Sequence, residues 1–292
     1  PEDRGEMGER NVKKRKVAVR ILLTLFVVIL IFPVLLLAAG SFMGPEELKE
    51  SYGSVLYGID GELQWKLFPL YPTLKAYLQL LLDSPDFFVM FWNSCRQTFS
   101  VLAGQMLFGL PAAWALGRYR FPGRKVILYL YMILMILPFQ VTMVSGYTVL
   151  SFFSVLDTHW AVILPGGLCH LSGISDDKIF SADTGFASGG GESRRGRGGG
   201  IFFLYRPATW NAGNCICFDL EFLEYWNAIE APMTFLKTKS LLPVSLYLSN
   251  ITVSDMGSAF AASILIMAPS IFLFACGQNY LEQGILASGL KE

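Results

Sequence analysis

ILLTLFVVILIFPVLLLAAGSF, Ile21 to Phe42, carries no charged side chain over 22 residues. As a helix, that length covers a hydrocarbon core about 30 Å thick. The basic KKRK at Lys13 to Lys16 and the small residues Ala38 to Ser41 also fit a cleaved leader. The apolar run is longer than a leader's core, so a membrane span is the reading adopted and the leader its competitor. The start of translation is expected at Met7 or upstream of Pro1.

The rest of the chain agrees with a membrane setting. Of its 292 residues, 53% are hydrophobic and only 16% charged, and the mean hydropathy is +0.47. Ordinary soluble domains carry more charge and less apolar surface. Twenty-three basic residues balance 23 acidic ones, which leaves no overall field to recruit nucleic acid.

Three further runs are apolar enough to span: Phe87 to Leu116, Val126 to about Gly146, with Pro138 bending or ending it, and Met256 to Cys276. A fifth begins at Ala161 and stops abruptly, and apolar patches around 201 to 223 leave room for a sixth. The fold class expected is therefore all-α, a polytopic transmembrane helical bundle of about six spans, four of them clear. Residues 1–20 form a basic cytoplasmic segment and 21–292 a single transmembrane domain. Between the first two spans, residues 43–86 carry seven acidic side chains against Lys49, Lys66 and Lys75, whereas the next turn carries Arg118, Arg120, Arg124 and Lys125. The positive-inside rule puts residues 43–86 outside, the basic turn inside and both termini in the cytoplasm.

Several chemistries are missing from the spans. A proton relay needs ionisable groups there, and the four clear runs hold no Asp, Glu or His, while Arg96 is near enough to a helix end to snorkel. No GxxxxGK[ST] or HExxH occurs, so this chain cradles no nucleotide phosphate and holds no catalytic zinc by those motifs. The five cysteines form no disulfide framework, and Cys215, Cys217 and His170 match no usual zinc spacing. No catalytic residue, metal site or resident cofactor is expected. The polar groups within or beside the runs are mild. Asn93, Gln105, Gln140, Trp226 and Asn227 are the candidates for a polar solute path. The competing reading makes such groups cross-helix glue, and Trp226 beside Tyr225 an interfacial anchor.

Two long stretches carry a resemblance. FWNSCRQTFSVLAGQMLFGLPAAWALGRYRFPGRK, Phe91 to Lys125, is followed by LPFQVTMVSGYTVLSFFSVLDTHWAVILPG, Leu137 to Gly166. An Asn-Ser start to a span, a Pro-Ala-Ala-aromatic-Ala segment, an Arg-x-x-Phe-Pro-Gly-Arg/Lys turn and a Leu-Asp-Thr-x-Trp-Ala segment, in this order, resemble the membrane permease subunits of maltose-type carbohydrate-uptake ABC importers. FLEYWNAIEAPMTFLKTKSLLPVSLYL, Phe222 to Leu248, and the tail GQNYLEQGI look similar to the same family. The resemblance covers roughly residues 15–166 and 222–292. It implies a translocation path for a sugar or oligosaccharide in a bacterial or archaeal cytoplasmic membrane. It also implies a second permease, an ATPase dimer that holds the ATP, and an extracytoplasmic solute-binding protein as partners.

The family's ATPase-docking loop, E-A-A followed some residues later by G, is absent. Residues 167–220 read instead GLCHLSGISDDKIFSADTGFASGGGESRRGRGGGIFFLYRPATWNAGNCICFDL. A reading frame shifted by one nucleotide changes this picture. Trp210 followed by Asn211 can then yield only Gly, Asn211 with Ala212 yields Met or Thr, and Arg206 with Pro207 allows Val. Chosen among the permitted residues, Tyr205 to Asp219 reads IVLPLGMPGIASVLI and Ala182 to Gly198 reads QIPDSLLEAARVEGAGE, which contains the missing signature. The expectation is a frame change near Gly166 or Gly167 and a compensating one near Leu220 or Glu221. Gly189, Gly190 and Glu192 as they stand match no docking motif.

Other readings remain: an ATP-independent channel or secondary carrier, a nonfunctional remnant, or a genuine RGG-like segment at Ser193 to Gly200 contacting nucleic-acid phosphate. The last leaves the span begun at Ala161 unfinished and sets cations beside lipid, so no nucleic-acid partner is expected.

Overall fold

A computed structural model describes residues 2–56, 66, 68–109, 111–112, 116, 119, 121–169, 212–250 and 255–289. Among them the chain is helical, with no strand. Most of the suspect stretch, 170–211, lies outside the described residues.

The elements in order are α1 (Glu2–Ser41), α2 (Pro45–Leu56), α3 (Lys75–Leu78) running into a π-turn Gln79–Asp83, and α4 (Pro85–Gly104) running into a π-turn Gln105–Gly109. Then come α5 (Arg124–Ile136), α6 (Phe139–Phe152), α7 (Trp160–Cys169), α8 (Ala212–Trp226), α9 (Glu230–Phe235), three short 3-10 turns between Lys239 and Asn250, and α10 (Met256–Gly289).

Two of these helices are long and apolar enough to cross a membrane: Arg15–Ser41 within α1 and Met256–Asn279 within α10. The most apolar window of α1 is entirely unburied, with Leu22, Phe26 and Ile29 each more than half exposed. A helix apolar on every side is matched to lipid. The run through Val126 is broken: Arg124–Leu134 and Phe139–Phe152 meet at 106°, and together they form a third, bent candidate. Pro138, extended at ψ 149°, starts α6, because a proline that lacks an N–H suits a helix entry. The Phe-Pro-Gly turn also has a local cause. Pro122 and Gly123 occupy the centre of a turn closed by Arg124 N donating to Phe121 O at 3.3 Å. Gly123 has φ 90° and ψ −10°, the type II geometry that calls for glycine in this position.

The chain divides into two compact units. The first comprises residues 1–84 and 251–265. Ala39, Met43 and Leu48 form its core, with Tyr52 and Phe260 packed against them. Gly40 lets the Phe260 ring lie on α1, since a Cβ there would meet that ring at 3.1 Å. Tyr77 Oη donates to Ser41 Oγ at 2.8 Å, Thr73 N to Phe42 O at 2.8 Å and Leu70 N to Glu47 Oε1 at 2.8 Å. The acidic 43–86 segment is thus partly folded onto the end of α1.

The second unit comprises residues 85–250 and 266–292, with α4 packed against both α7 and α8. The buried positions of α4 are Phe87, Met90, Asn93, Ser94, Gln97, Thr98, Val101 and Leu102, a stripe at helical spacing. Leu150, Ala161, Val162, Phe235 and Leu236 form a second cluster under the 153–159 turn. Phe222 and Trp226 stack at 5.5 Å and 12°, and Phe91 meets the indole edge to face at 5.5 Å. Trp226, 1% exposed, donates its Nε1–H to Ile266 O on α10 at 3.0 Å.

Five buried side-chain oxygens have no hydrogen-bond partner among the described residues: Glu47 Oε2, Ser51 Oγ, Tyr52 Oη, Thr98 Oγ1 and Asp219 Oδ2. Asp219 is 7% exposed, and its Oδ2 has no hydrogen-bond partner among the described residues. Its carboxylate fills the place a Cβ of Gly277 would take. A buried unpaired oxygen costs about 1–3 kcal/mol, so Asp219→Ile, one of the residues the shifted frame allows, is expected to stabilise the protein by that order. Thermal unfolding in detergent checks this, and a lower midpoint for the variant contradicts it.

Candidate functional site

α4 turns a polar stripe inward. Asn93, Ser94, Gln97, Thr98 and, one residue past the helix, Gln105 are each less than a tenth exposed. Burying amides and hydroxyls is costly unless partners meet them; four of these five side chains meet one, and Thr98 Oγ1 meets none among the described residues. Asn93 Nδ2 donates to the carbonyls of Ser240, at 2.7 Å, and Leu242, at 3.1 Å. Ser94 Oγ accepts from Val244 N at 2.8 Å, and Gln97 Nε2 donates to Leu241 O at 3.0 Å. The 239–246 segment makes only 3-10 turns, so its free backbone groups find their partners on α4. The Asn-Ser pair of the sequence motif is a fastener for this segment.

The Leu-Asp-Thr motif fastens the same segment from the other side. Asp157 sits at φ 57°, a left-handed conformation that aspartate tolerates better than most residues. Its Oδ1 accepts from Lys237 N and Thr238 N, both at 2.8 Å, and its Oδ2 from Thr238 Oγ1 at 2.6 Å. Asp157 N in turn donates to Phe235 O at 3.0 Å. The Thr238 hydroxyl, then the two amides, hold the Asp157 carboxyl below its ordinary pKa. Thr158 Oγ1 bonds back to Val155 O at 2.6 Å.

His159 completes the turn. Gln97 Nε2 lies 3.2 Å from its Nδ1. An amide nitrogen can only donate, so this contact requires an unprotonated Nδ1. Burial, and secondarily Arg96, push the imidazole below its ordinary pKa, which favours that neutral form.

The five sequence candidates do not converge on one spot. Asn93 meets the 240–242 backbone, and Trp226 is sealed among Phe91 and Phe222. Gln105 Nε2 donates to Gly166 O at 3.2 Å and to Glu221 Oε2 at 3.1 Å. Gln140 and Asn227 are exposed: Gln140 Nε2 donates to Glu230 Oε1 at 2.6 Å, and Asn227 Nδ2 bonds back to Leu223 O at 2.9 Å. Gln97, Asp157 and His159 were not among the sequence candidates. The signal that pointed to the first was its position four residues after Asn93, on the same helix face. Among the described residues no group of three or more His, Cys, Asp or Glu could hold a metal ion.

No family model matches the chain. The galactooligosaccharides transport system permease protein GanQ of Bacillus subtilis is 25% identical over 291 residues, 93% of this chain and 94% of that protein. The arabinooligosaccharides transport system permease protein AraQ of Halalkalibacterium halodurans is 22% identical over 275 residues, 90% of this chain and 92% of its own. This chain is homologous to permease subunits of sugar ABC importers. A solved bacterial ABC transporter involved in the import of the acidic polysaccharide alginate shares this chain's fold, with a TM-score of 0.71 at 18% identity, covering 90% of this chain and 95% of that one.

Two outcomes are expected from the fastenings. Asn93→Leu leaves two carbonyls without a donor and costs about 1–3 kcal/mol, read as a lower unfolding midpoint in detergent; an unchanged midpoint contradicts it. The second concerns pH. Both Asp157 and His159 have folded pKa values below their unfolded ones, so each stabilises the folded form above the unfolded value and ceases to as pH falls. Amide exchange of residues 236–244, corrected for intrinsic rate, should accelerate in two steps, first below about pH 6.5 and again below about pH 4. His159→Gln should remove the first step and keep the second, and a variant that retains both contradicts the assignment.

Proposed function

We propose that this permease forms the transmembrane path of an ATP-driven importer for a sugar or oligosaccharide. The observation that carries the reading is similarity along nearly the whole of both chains to permease proteins of oligosaccharide transport systems, 93% and 94% in the case of GanQ. The family supplies the remaining parts: a second permease subunit, an ATPase dimer, and a solute-binding protein outside the cell. ATP-driven closure of the ATPase pair moves its docking loops, and packed helices turn that movement into alternating access. The permease itself makes and breaks no covalent bond.

The complete bundle has six spans in a cytoplasmic membrane, with residues 43–86 outside and both termini inside, as the charge distribution favours. Gln140 and Asn227 are the leading path candidates, because both side chains are exposed. Asn93, Gln105 and Trp226 spend their donors on the chain's own carbonyls or carboxylate and serve first as internal fastenings. Residues 167–220 are an out-of-frame reading of the ATPase-docking segment, a view supported by the lack, in that stretch as written, of the E-A-A and following glycine that the family resemblance implies.

Reconstitution into proteoliposomes with the second permease, ATPase and binding protein tests this reading. A chain carrying the frame-restored segment should take up oligosaccharide only with ATP and binding protein present, and the chain as written should stay near background. Uptake without ATP would support a channel or secondary carrier instead. ATP-dependent uptake by the chain as written would overturn the out-of-frame reading.

A further inference from the structure

Gln105 occupies a crossing of three helices. It is 6% exposed, and it opens the π-turn that follows α4. Its one amide group spends one hydrogen on Gly166 O, in α7, and the other on Glu221 Oε2, in α8. The helices themselves are in close contact here. A Cβ on Gly104 would meet the Cα of Gly167 at 3.1 Å, and one on Gly166 would meet the Tyr225 ring at 2.8 Å. Tyr225 Oη also reaches Gly166 O, at 3.5 Å.

The position in the chain gives this node its meaning. α7 ends at Cys169 and α8 begins at Ala212, so these two helices flank residues 170–211. Any force applied to the chain between them must leave through one helix or the other. Gln105 bonds to both, and the α-helical ladder of α4 gives way to a π-turn at that same residue. π-turns within helices mark places where the hydrogen-bond ladder is locally altered and frequently accompany functional sites.

We propose that Gln105 is the positioning residue that ties both flanks of the ATPase-facing segment to α4, so that α7 and α8 move with α4 as one body. The inference rests on the importer reading for what pulls on that segment, but not for the tie itself. The Gly166 acceptor is backbone and indifferent to the side chain there, whereas the Glu221 acceptor is a side chain and can be changed separately. This assigns Gln105 to transmission of movement and removes it from the solute path.

Three variants of the permease in lipid nanodiscs test the tie by amide exchange. Gln105→Leu should raise exchange in both α7 and α8 by about tenfold, the scale expected for losing a buried hydrogen bond. Glu221→Leu should raise it in α8 alone, and Glu221→Gln, which keeps an acceptor oxygen, should restore it. Unchanged exchange in Gln105→Leu, or equal loosening of α7, α8 and α5 in either leucine variant, overturns the tie. A second readout uses the importer complex, built with the reading of 167–220 that the gene supports. Gln105→Leu should keep ATP hydrolysis within about twofold while uptake per ATP falls several-fold, as loss of coupling without loss of either site requires. A parallel fall of hydrolysis and uptake overturns the positioning role. If the unsubstituted complex takes up no solute, the importer reading fails, and the exchange result alone decides the tie.

Discussion

The second unit depends on one constraint: α4 carries amides and hydroxyls on its buried face, and all but the Thr98 hydroxyl find partners among the described residues. Apolar side chains give two helices little reason to choose one another inside a bilayer, because lipid tails are as apolar as leucine. Directional hydrogen bonds supply the choice. Asn93, Ser94 and Gln97 select the irregular 240–244 backbone, and Gln105 selects α7 and α8. Asp157 then closes the far side of the same irregular segment, so a stretch with almost no ladder of its own is held at both edges. The stripe of Phe87, Met90, Val101 and Leu102 contributes area, and the polar groups set register.

Much of the architecture could be read from composition and spacing. The charge-free run from Ile21 and the one from Met256 are visible because nothing polar interrupts them, and both are single long helices. The basic Phe-Pro-Gly turn and the break at Pro138 are visible because proline and glycine restrict the backbone in known ways. What could not be read was the direction in which the mild polar residues face. Asn93 and Gln140 are alike in a string of letters, yet one is sealed against two carbonyls and the other stands exposed beside Glu230. Facing is decided by partners some 150 positions away in the chain, as for Ser94 and Val244, and no local pattern encodes it. The role of Asp157 was hidden for the same reason: it depends on a left-handed turn meeting Lys237 and Thr238.

The family motifs acquire physical content in this way. Asn-Ser and Leu-Asp-Thr are two halves of one clasp around residues 236–244, and Phe-Pro-Gly is a type II turn that starts α5. None of these requires contact with a solute.

The out-of-frame reading proposed for residues 167–220 rests on the sequence, where the E-A-A and following glycine implied by the resemblance do not occur. Phe222 and Trp226 stack, and the indole N–H is satisfied by Ile266 O. The most direct measurement is the nucleotide sequence of the gene across codons 160 to 225, determined again from source DNA. The account predicts one base gained or lost near codon 166 and a compensating change near codon 220, with E-A-A and its following glycine then in frame. An unaltered frame contradicts it, and residues 167–220 would then have to be explained as the protein's own.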